Sequence, residues 1–487
     1  MKVGAEVSKR FITNVLGTLA GFLGTIYFAR VLGAEGIGVF AIFQSIQMLM
    51  GATFGFGIFV TVTKFVSGSD DEARHFTAAL FIVALGGLLS AVVSVLFRAP
   101  INETLGVDAA LLLPLGVVSW SLFRVTGAFL EGKGRVALSG MLENGRYVAI
   151  VGLQTVFVVA GFEVLGLLWG LILGQLLTFV VAYFGFARVR PALPTRETLW
   201  TFVSFSKNTY IQSLAGQFFK QADYIVIGRF LGPGAAGIYR VSFTISESSM
   251  LFSAALSKVS FPEFSRLTSE ERHEQIQRLF DRVVAYSGVF SIPLIAGALV
   301  VGNDLLRTVY QITPGTVGIP FVGEIGLASA LIATLALANL FNGYRGTLDS
   351  YFLGIDKPRP VVLGSLALIG TYVVLVYPLT IRFGALGLGW TTAVSFLACV
   401  GVLSSTLNYR PSVSSLTDVG AQLFAAGAMY LATAALTAVL GGASGVLRLT
   451  TVILTGAGVY FALLVVSSSS IRNDVFWIAK DLYEGRT

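Results

Sequence analysis

The chain is poor in the residues on which most catalytic and nucleic-acid-binding proteins depend. It has one cysteine and two histidines in 487 residues. A single thiol, Cys399, excludes an internal disulfide, and without a Cys/His cluster no metal site is expected. Cys399 sits in an apolar run and reads as a small core residue. His75 and His273 fall in polar loops and read as solvated. No phosphate-cradling Gly-rich loop ends in Lys-Ser/Thr, and no nucleophile is set with a His and a carboxylate. Enzymatic chemistry and a cofactor are therefore not expected. Charge is scarce too: Asp, Glu, Lys and Arg make 12% of the chain, against roughly 25% in soluble domains. A water-soluble fold of this length would lack polar surface. The net charge of +7 is spread over short loops with no contiguous basic domain, which excludes nucleic acid as a partner.

What is present is apolar length. Hydrophobic residues make 55% of the chain, in runs long enough to cross a hydrocarbon core of ~30 Å as helices. A spanning backbone must satisfy its own hydrogen bonds. The runs are uniformly apolar rather than alternating, so they predict helices and not a barrel. Spans are placed near 12–32, 38–62, 76–97, 109–130, 137–160, 164–187, 204–229, 236–258, 282–302, 325–352, 360–381, 385–408, 419–440 and 447–469. The start, with Lys2, Lys9 and Arg10 before an apolar run, has the look of a signal peptide. No small-residue cleavage site follows, so it is taken as a retained first helix.

Charge asymmetry tests this layout. Of the 33 lysines and arginines, Arg30, Arg98, Arg229, Arg307, Arg382 and Arg448 fall on one side. Five fall inside spans, and the remaining 22 fall on the side of both termini. Basic loops stay in the cytoplasm, so both termini are expected there, in the cytoplasmic membrane.

A repeat is legible. Arg30-Val-Leu32-Gly33, followed by Gly38-Val39-Phe40, matches Arg229-Phe-Leu231-Gly232, followed by Gly237-Ile238-Tyr239, at an offset of 199. Phe123-Arg124-Val-Thr126 matches Tyr344-Arg345-Gly-Thr347, and Leu165-Gly166-Leu167 matches Leu386-Gly387-Leu388, both at 221. The chain therefore divides into residues 1–198 (spans 1–6), 199–410 (spans 7–12) and 411–487 (spans 13 and 14 with a tail). An even number of spans per copy makes the repeat parallel, about an axis along the membrane normal. Glycines at four-residue spacing, Gly17/Gly21 and Gly166/Gly170/Gly174, predict close helix packing. Pro114 and Pro293 predict bends. The charged stretch 258–282 is expected to lie on the cytoplasmic face as an interfacial helix, with docking of partner proteins as a second reading.

Charges inside spans are costly, by roughly 2.5 kcal/mol or more, and each invites a functional reading. The basic ones are Arg124, Arg146, Lys220, Arg240 and Arg345; the acidic ones are Glu143, Asp223, Glu247 and Asp349. Glu143 with Arg146, Lys220 with Asp223 and Arg345 with Asp349 are spaced to pair on one helix face. Neutralised pairs that let polar helices insert are one reading. The other is a cationic cavity between the two six-helix copies, with Arg124 and Arg345 as symmetric partners. An arginine fork suits phosphate, and the acidic residues are candidates for ion coupling.

Ala29–Ile46 (ARVLGAEGIGVFAIFQSI) resembles the start of the polysaccharide-biosynthesis flippases, Wzx-like members of the multidrug/oligosaccharidyl-lipid/polysaccharide (MOP, MATE-like) exporter superfamily. Gln221–Ile245, followed by Phe261-Pro262, is similar to the matching part of the second copy. The resemblance implies an all-α, two-lobed transporter working by alternating access. The implied cargo is a polyprenyl- or dolichyl-(pyro)phosphate-linked oligosaccharide, the implied surroundings are membrane lipids, and glycan-assembly enzymes are the partners such a chain would meet. It also implies a cation-lined cavity, for which Arg124, Arg345, Arg146, Lys220, Arg240 and Asn14 are the candidates. The alternative is cation-coupled antiport of organic cations, as in the drug-exporting branch. That branch often carries an acid in the first span. Here Asn14 stands in that span, and no acid occurs between Lys9 and Glu35.

Overall fold

The computed structural model describes residues 2–55, 57–68, 71–319, 323–407, 412–468 and 471–472, with side chains from residue 20 onward except 207–209, 211–213, 215 and 413–414. The protein is an all-α polytopic membrane protein. Nine helical stretches among the described residues are long and apolar enough to cross a membrane, several of them broken once along their length. The exception to helix among the described residues is a two-stranded antiparallel hairpin, Thr316–Ile319 with Gly323–Gly326.

Residues 1–240 form one compact unit and 241–487 another. The first holds α1 (Lys2–Phe54), α2 (Ile58–Ser67), α3 (Glu72–Leu96), α4 (Arg98–Leu105), α5 (Leu113–Gly132), α6 (Val136–Phe157), α7 (Glu163–Val180), α8 (Arg196–Leu231) and the first half of α9 (Pro233–Glu247). Its core gathers Ile58, Val62, Phe76, Phe129 and Phe202 from α2, α3, α5 and α8. The second holds α10 (Met250–Ser269), α11 (His273–Ser287), α12 (Ser291–Leu305), α13 (Leu327–Gly354), α14 (Pro358–Ser405), α15 (Val413–Val439) and α16 (Val446–Ser467). There Val289, Ile292, Leu340 and Tyr460 pack together.

The repeat has a backbone counterpart. α1 breaks at Gly33 (φ 68°, ψ −172°), and α8 ends at Gly232 (φ 82°, ψ 172°). These are matching positions in one left-handed, extended conformation that a Cβ disfavours. The same holds at Glu163 (φ 48°, ψ −131°) and Gly384 (φ 59°, ψ −140°), 221 residues apart. The two copies also touch reciprocally within the first unit. A Cβ on Gly38 would overlap the carbonyl of Pro233, and one on Gly237 would overlap the carbonyl of Ala34. Ala34 and Pro233 are themselves repeat-equivalent. These contacts join α8 and the start of α9 to the rest of the first unit.

Glu163 carries a prediction. Its glutamate occupies a conformation that its counterpart, Gly384, adopts freely. Strain of this kind costs of order 1–3 kcal/mol, and the side chain is exposed, so removing it loses no packing. The acid does favour the N-terminus of α7, by roughly 0.3–1 kcal/mol. Glu163→Gly should therefore stabilise the protein by about 1 kcal/mol, read as a rise in the unfolding midpoint in detergent. A fall in the midpoint would count against the strain.

Several expectations are corrected. The stretch 258–282 is not one continuous helix. α10 runs to Ser269, α11 begins at His273, and the charged residues cap a tight turn. There Arg266 bonds Glu263 at 2.6 Å and Glu270 at 2.7 Å, and the guanidinium holds Glu263 below the usual carboxylate range. Pro114 sits in the first turn of α5, where its missing N–H costs nothing. Pro293 likewise follows a break between α11 and α12 rather than bending one rod. Gly166, Gly170 and Gly174 do receive α6 closely, with Gln154 and Ile150 backbone against the last two. Gly21 faces open space, and the Gly17 side of that ridge lies outside the described residues. His75 is not a freely solvated side chain: it stacks on Phe65 at 5.3 Å. Cys399 is buried against Gly364.

Candidate functional site

The charged residues of the spans fall into three environments. Arg146 on α6 is 5% exposed and is bound by Glu143, one turn earlier, at 2.5 Å. Its guanidinium also lies over the rings of Phe123 (5.4 Å) and Tyr147 (4.5 Å). The expected pair is present, and Arg146 is buried against one carboxylate and two rings.

Arg345 on α13 is half-buried. Its Nε lies 3.4 Å from Asp349 Oδ2, in a geometry that makes an ion pair but no hydrogen bond. The guanidinium faces the ring of Phe396 at 5.7 Å. The pair is loose, so the fork keeps donors in hand. Arg124 on α5 is half-buried over the Phe59 ring at 5.5 Å and makes no ion pair among the described residues. The two arginines are repeat-equivalent, but their settings differ. Asp349 stands where the first copy has Ala128, so only the second copy carries a counter-ion one turn away.

The remaining candidates separate. Asp223 on α8 is 8% exposed and accepts a 2.6 Å bond from the Tyr239 hydroxyl on α9. Arg240 lies against Tyr224, with Nη1 3.4 Å from its hydroxyl. Asp223, Tyr224, Tyr239 and Arg240 thus form one polar knot at the α8–α9 junction. Lys220 is exposed and makes no ion pair among the described residues, so the expected Lys220–Asp223 pair is replaced by Tyr239. One-turn spacing allows contact but does not compel it when a tyrosine from the next helix reaches the carboxylate first. Glu247 is exposed. The Asn14 side chain lies outside the described residues.

Neutral polar residues overlooked in the sequence also cluster. Buried Gln47 donates to the Gly116 carbonyl (2.8 Å) and to Gln175 Oε1 (3.2 Å), which also accepts from Ser119 (2.7 Å). In the second unit Asn339 donates to Ser246, and Ser287 pairs with Thr347 at 3.0 Å. Amides inside apolar spans were the available signal, since an unsatisfied amide in hydrocarbon costs several kcal/mol.

Comparison with known proteins adds to this geometry. A family model described as polysaccharide biosynthesis protein matches residues 27–311. The probable low-salt glycan biosynthesis flippase Agl15 of Haloferax volcanii is 24% identical over 473 residues, covering 97% of this chain and 96% of that protein. The probable flippase AglR of the same organism is 27% identical, covering 88% of each. In fold, the lipid II flippase MurJ in an inward closed conformation matches with a TM-score of 0.75 at 14% identity, covering 96% of this chain and 99% of that one. An inward-facing MATE-family multidrug resistance transporter of the MOP superfamily matches with a TM-score of 0.59 at 14% identity, covering 82% and 99%. The fold is therefore shared with a lipid II flippase and with a MATE-family multidrug transporter. By the extent of the family match, the chain belongs to the polysaccharide biosynthesis protein family.

Proposed function

We propose that this protein is a flippase that moves a polyprenyl- or dolichyl-(pyro)phosphate-linked oligosaccharide across the cytoplasmic membrane by alternating access, for surface polysaccharide or glycoprotein synthesis. The chain crosses fourteen times with both termini cytoplasmic, its two repeats being residues 1–198 and 199–410, followed by 411–487. It performs no covalent chemistry: its work is to offer a polar path to a headgroup that hydrocarbon rejects.

The observation that carries this reading is Arg124, a half-buried guanidinium with no carboxylate partner among the described residues. An ion in that position awaits an anion. A phosphodiester fits, because the fork donates two parallel bonds to it. Arg345 supplies the same group in the second copy, with Asp349 as a weak counter-ion that a phosphate can displace. Asp223, Glu247, Asp349 and Glu143 are the carboxylates through which an ion gradient could be coupled. The relatives named as probable flippases support the cargo class. Antiport of organic cations is disfavoured by the absence of an acid between Lys9 and Glu35.

The test is transfer in reconstituted vesicles. With a fluorescent polyprenyl-diphosphate oligosaccharide in the outer leaflet, vesicles containing the protein should lose access to a membrane-impermeant quencher or lectin faster than protein-free vesicles. Equal rates in both, together with proton-driven exchange of a cationic dye, would replace this reading with the antiporter one.

A further inference from the structure

One end of the first unit carries a basic cleft that the transport reading does not use. It has a volume of about 520 Å³ and opens between the start of α3, the turn joining α5 to α6, and the segment that follows α7. Its charged lining is Glu72, Lys133, Arg135 and Arg188, three cations against one carboxylate. Lys133 and Glu72 are paired at 2.5 Å, both partly exposed. The two arginines make no ion pair among the described residues.

Both guanidiniums are fixed by backbone instead. Arg135 Nη1 donates to the Phe186 carbonyl and Arg188 Nε to the Phe184 carbonyl, each at 3.3 Å. Each bond uses one of a guanidinium's five N–H groups and leaves the others for a ligand. Arg188 holds a left-handed backbone (φ 48°, ψ 38°), which a Cβ disfavours. The conformation is locked by Arg188 N–H to the Tyr183 carbonyl (2.8 Å) and by the Tyr183 hydroxyl to the Val189 carbonyl (2.7 Å). Capping of helical carbonyls by arginine explains one bond each. It does not explain why two such caps converge on a third cation in a cleft.

The surroundings select the ligand. Phe184 is 66% exposed, and Val180 and Val181 beside it are exposed as well. This is a face for acyl chains. A free anion needs only the charges. A ligand with a phosphate head and an apolar tail would satisfy both parts of the surface.

We infer that this cleft binds the phosphate of an anionic membrane lipid, held by Arg135 and Arg188 with Lys133 as a third charge, its chains lying along Phe184. Basic pockets between spans are a known type of lipid site. In the proposed topology the cleft faces the cytoplasmic leaflet. The site itself requires only that the chain is embedded in a membrane, and it stands whether or not the chain moves glycolipids.

The experiment uses the purified full-length chain in a neutral detergent. Three probes are compared: dioctanoyl phosphatidylglycerol, dioctanoyl phosphatidylcholine and inorganic phosphate. Native mass spectrometry reads bound molecules, and thermal unfolding reads stabilisation. Phosphatidylglycerol should bind and raise the unfolding midpoint, while the other two should do neither at the same concentration. R135Q/R188Q should weaken phosphatidylglycerol binding at least tenfold, whereas R382Q/R448Q, an equal loss of charge at exposed positions away from the cleft, should leave it intact. The single variants R135Q and R188Q, each losing one carbonyl contact, serve if the double variant does not fold, and each should weaken binding several-fold. Equal binding of phosphatidylcholine, binding of inorganic phosphate with similar affinity, or undiminished phosphatidylglycerol binding by these variants would overturn the assignment. No readout depends on flipping, so a failed transport assay leaves this result unaffected.

Discussion

Replacing Gly38 or Gly237 by alanine should lower the stability of the protein by about 3 kcal/mol or more. The methyl group of either variant would occupy the space of a backbone carbonyl, that of Pro233 or Ala34. Overpacking against a side chain costs ~1–3 kcal/mol, because a rotamer can yield. Here nothing yields except the crossing of two helix starts. Each glycine lies a few residues after the break that launches its helix, at Gly33 and at Gly232. That break sets the angle at which the helices approach, so separating them must also shift the following segments. Gly234→Ala is the control: it lies in the same stretch, meets nothing within 4 Å and has no left-handed backbone. It should be neutral. Unfolding midpoints and yields of the three variants in one detergent decide the matter. If Gly38→Ala behaves like Gly234→Ala, the reciprocal contact is absent from the folded protein.

Neutralising Arg124 should slow transport at least about tenfold without unfolding the chain. A hydrogen bond between charged groups contributes ~1.5–3 kcal/mol. Its loss at a site of phosphate contact corresponds to a rate lower by roughly ten- to a hundredfold, at 1.4 kcal/mol per decade. Arg124→Gln orphans no carboxylate, since no ion pair is made there among the described residues, so the unfolding midpoint should hold. Arg345→Gln is different. It leaves Asp349 half-buried without its cation, and both flipping and stability should fall. Adding Asp349→Asn should restore the midpoint but not the flipping. This pattern separates a ligand-binding cation from a structural one. A flipping rate near wild type in Arg124→Gln, at normal protein level, would remove Arg124 from the path of the headgroup.

The class of the molecule was legible because the bilayer is an undemanding reader of sequence. Long apolar runs with 12% charge have one physical outcome, helices that satisfy their own backbones. The repeat was legible for a related reason. Gly33 and Gly232 share a left-handed backbone, and Gly38 and Gly237 each face a carbonyl that leaves no room for a Cβ. Local ion pairs were partly legible. Glu143 and Arg146 met as their spacing allows, but Lys220 and Asp223 did not, because Tyr239 came from another helix to claim the carboxylate.

The amino-acid order alone determined that this chain is an all-α polytopic membrane protein, and it marked a repeated motif and the cations that stand within its apolar runs. These follow from local quantities: hydropathy over about 20 residues, and glycine at fixed positions. Only the tertiary structure decided which cations are already answered. Arg146 is enclosed by Glu143, Phe123 and Tyr147, whereas Arg124 has a ring and no carboxylate. It alone also revealed that Arg135 and Arg188, 53 positions apart in the chain, line the same cleft as Lys133. Whether a buried charge is satisfied depends on groups brought by other helices, and that information is not contained in the spacing of any one of them.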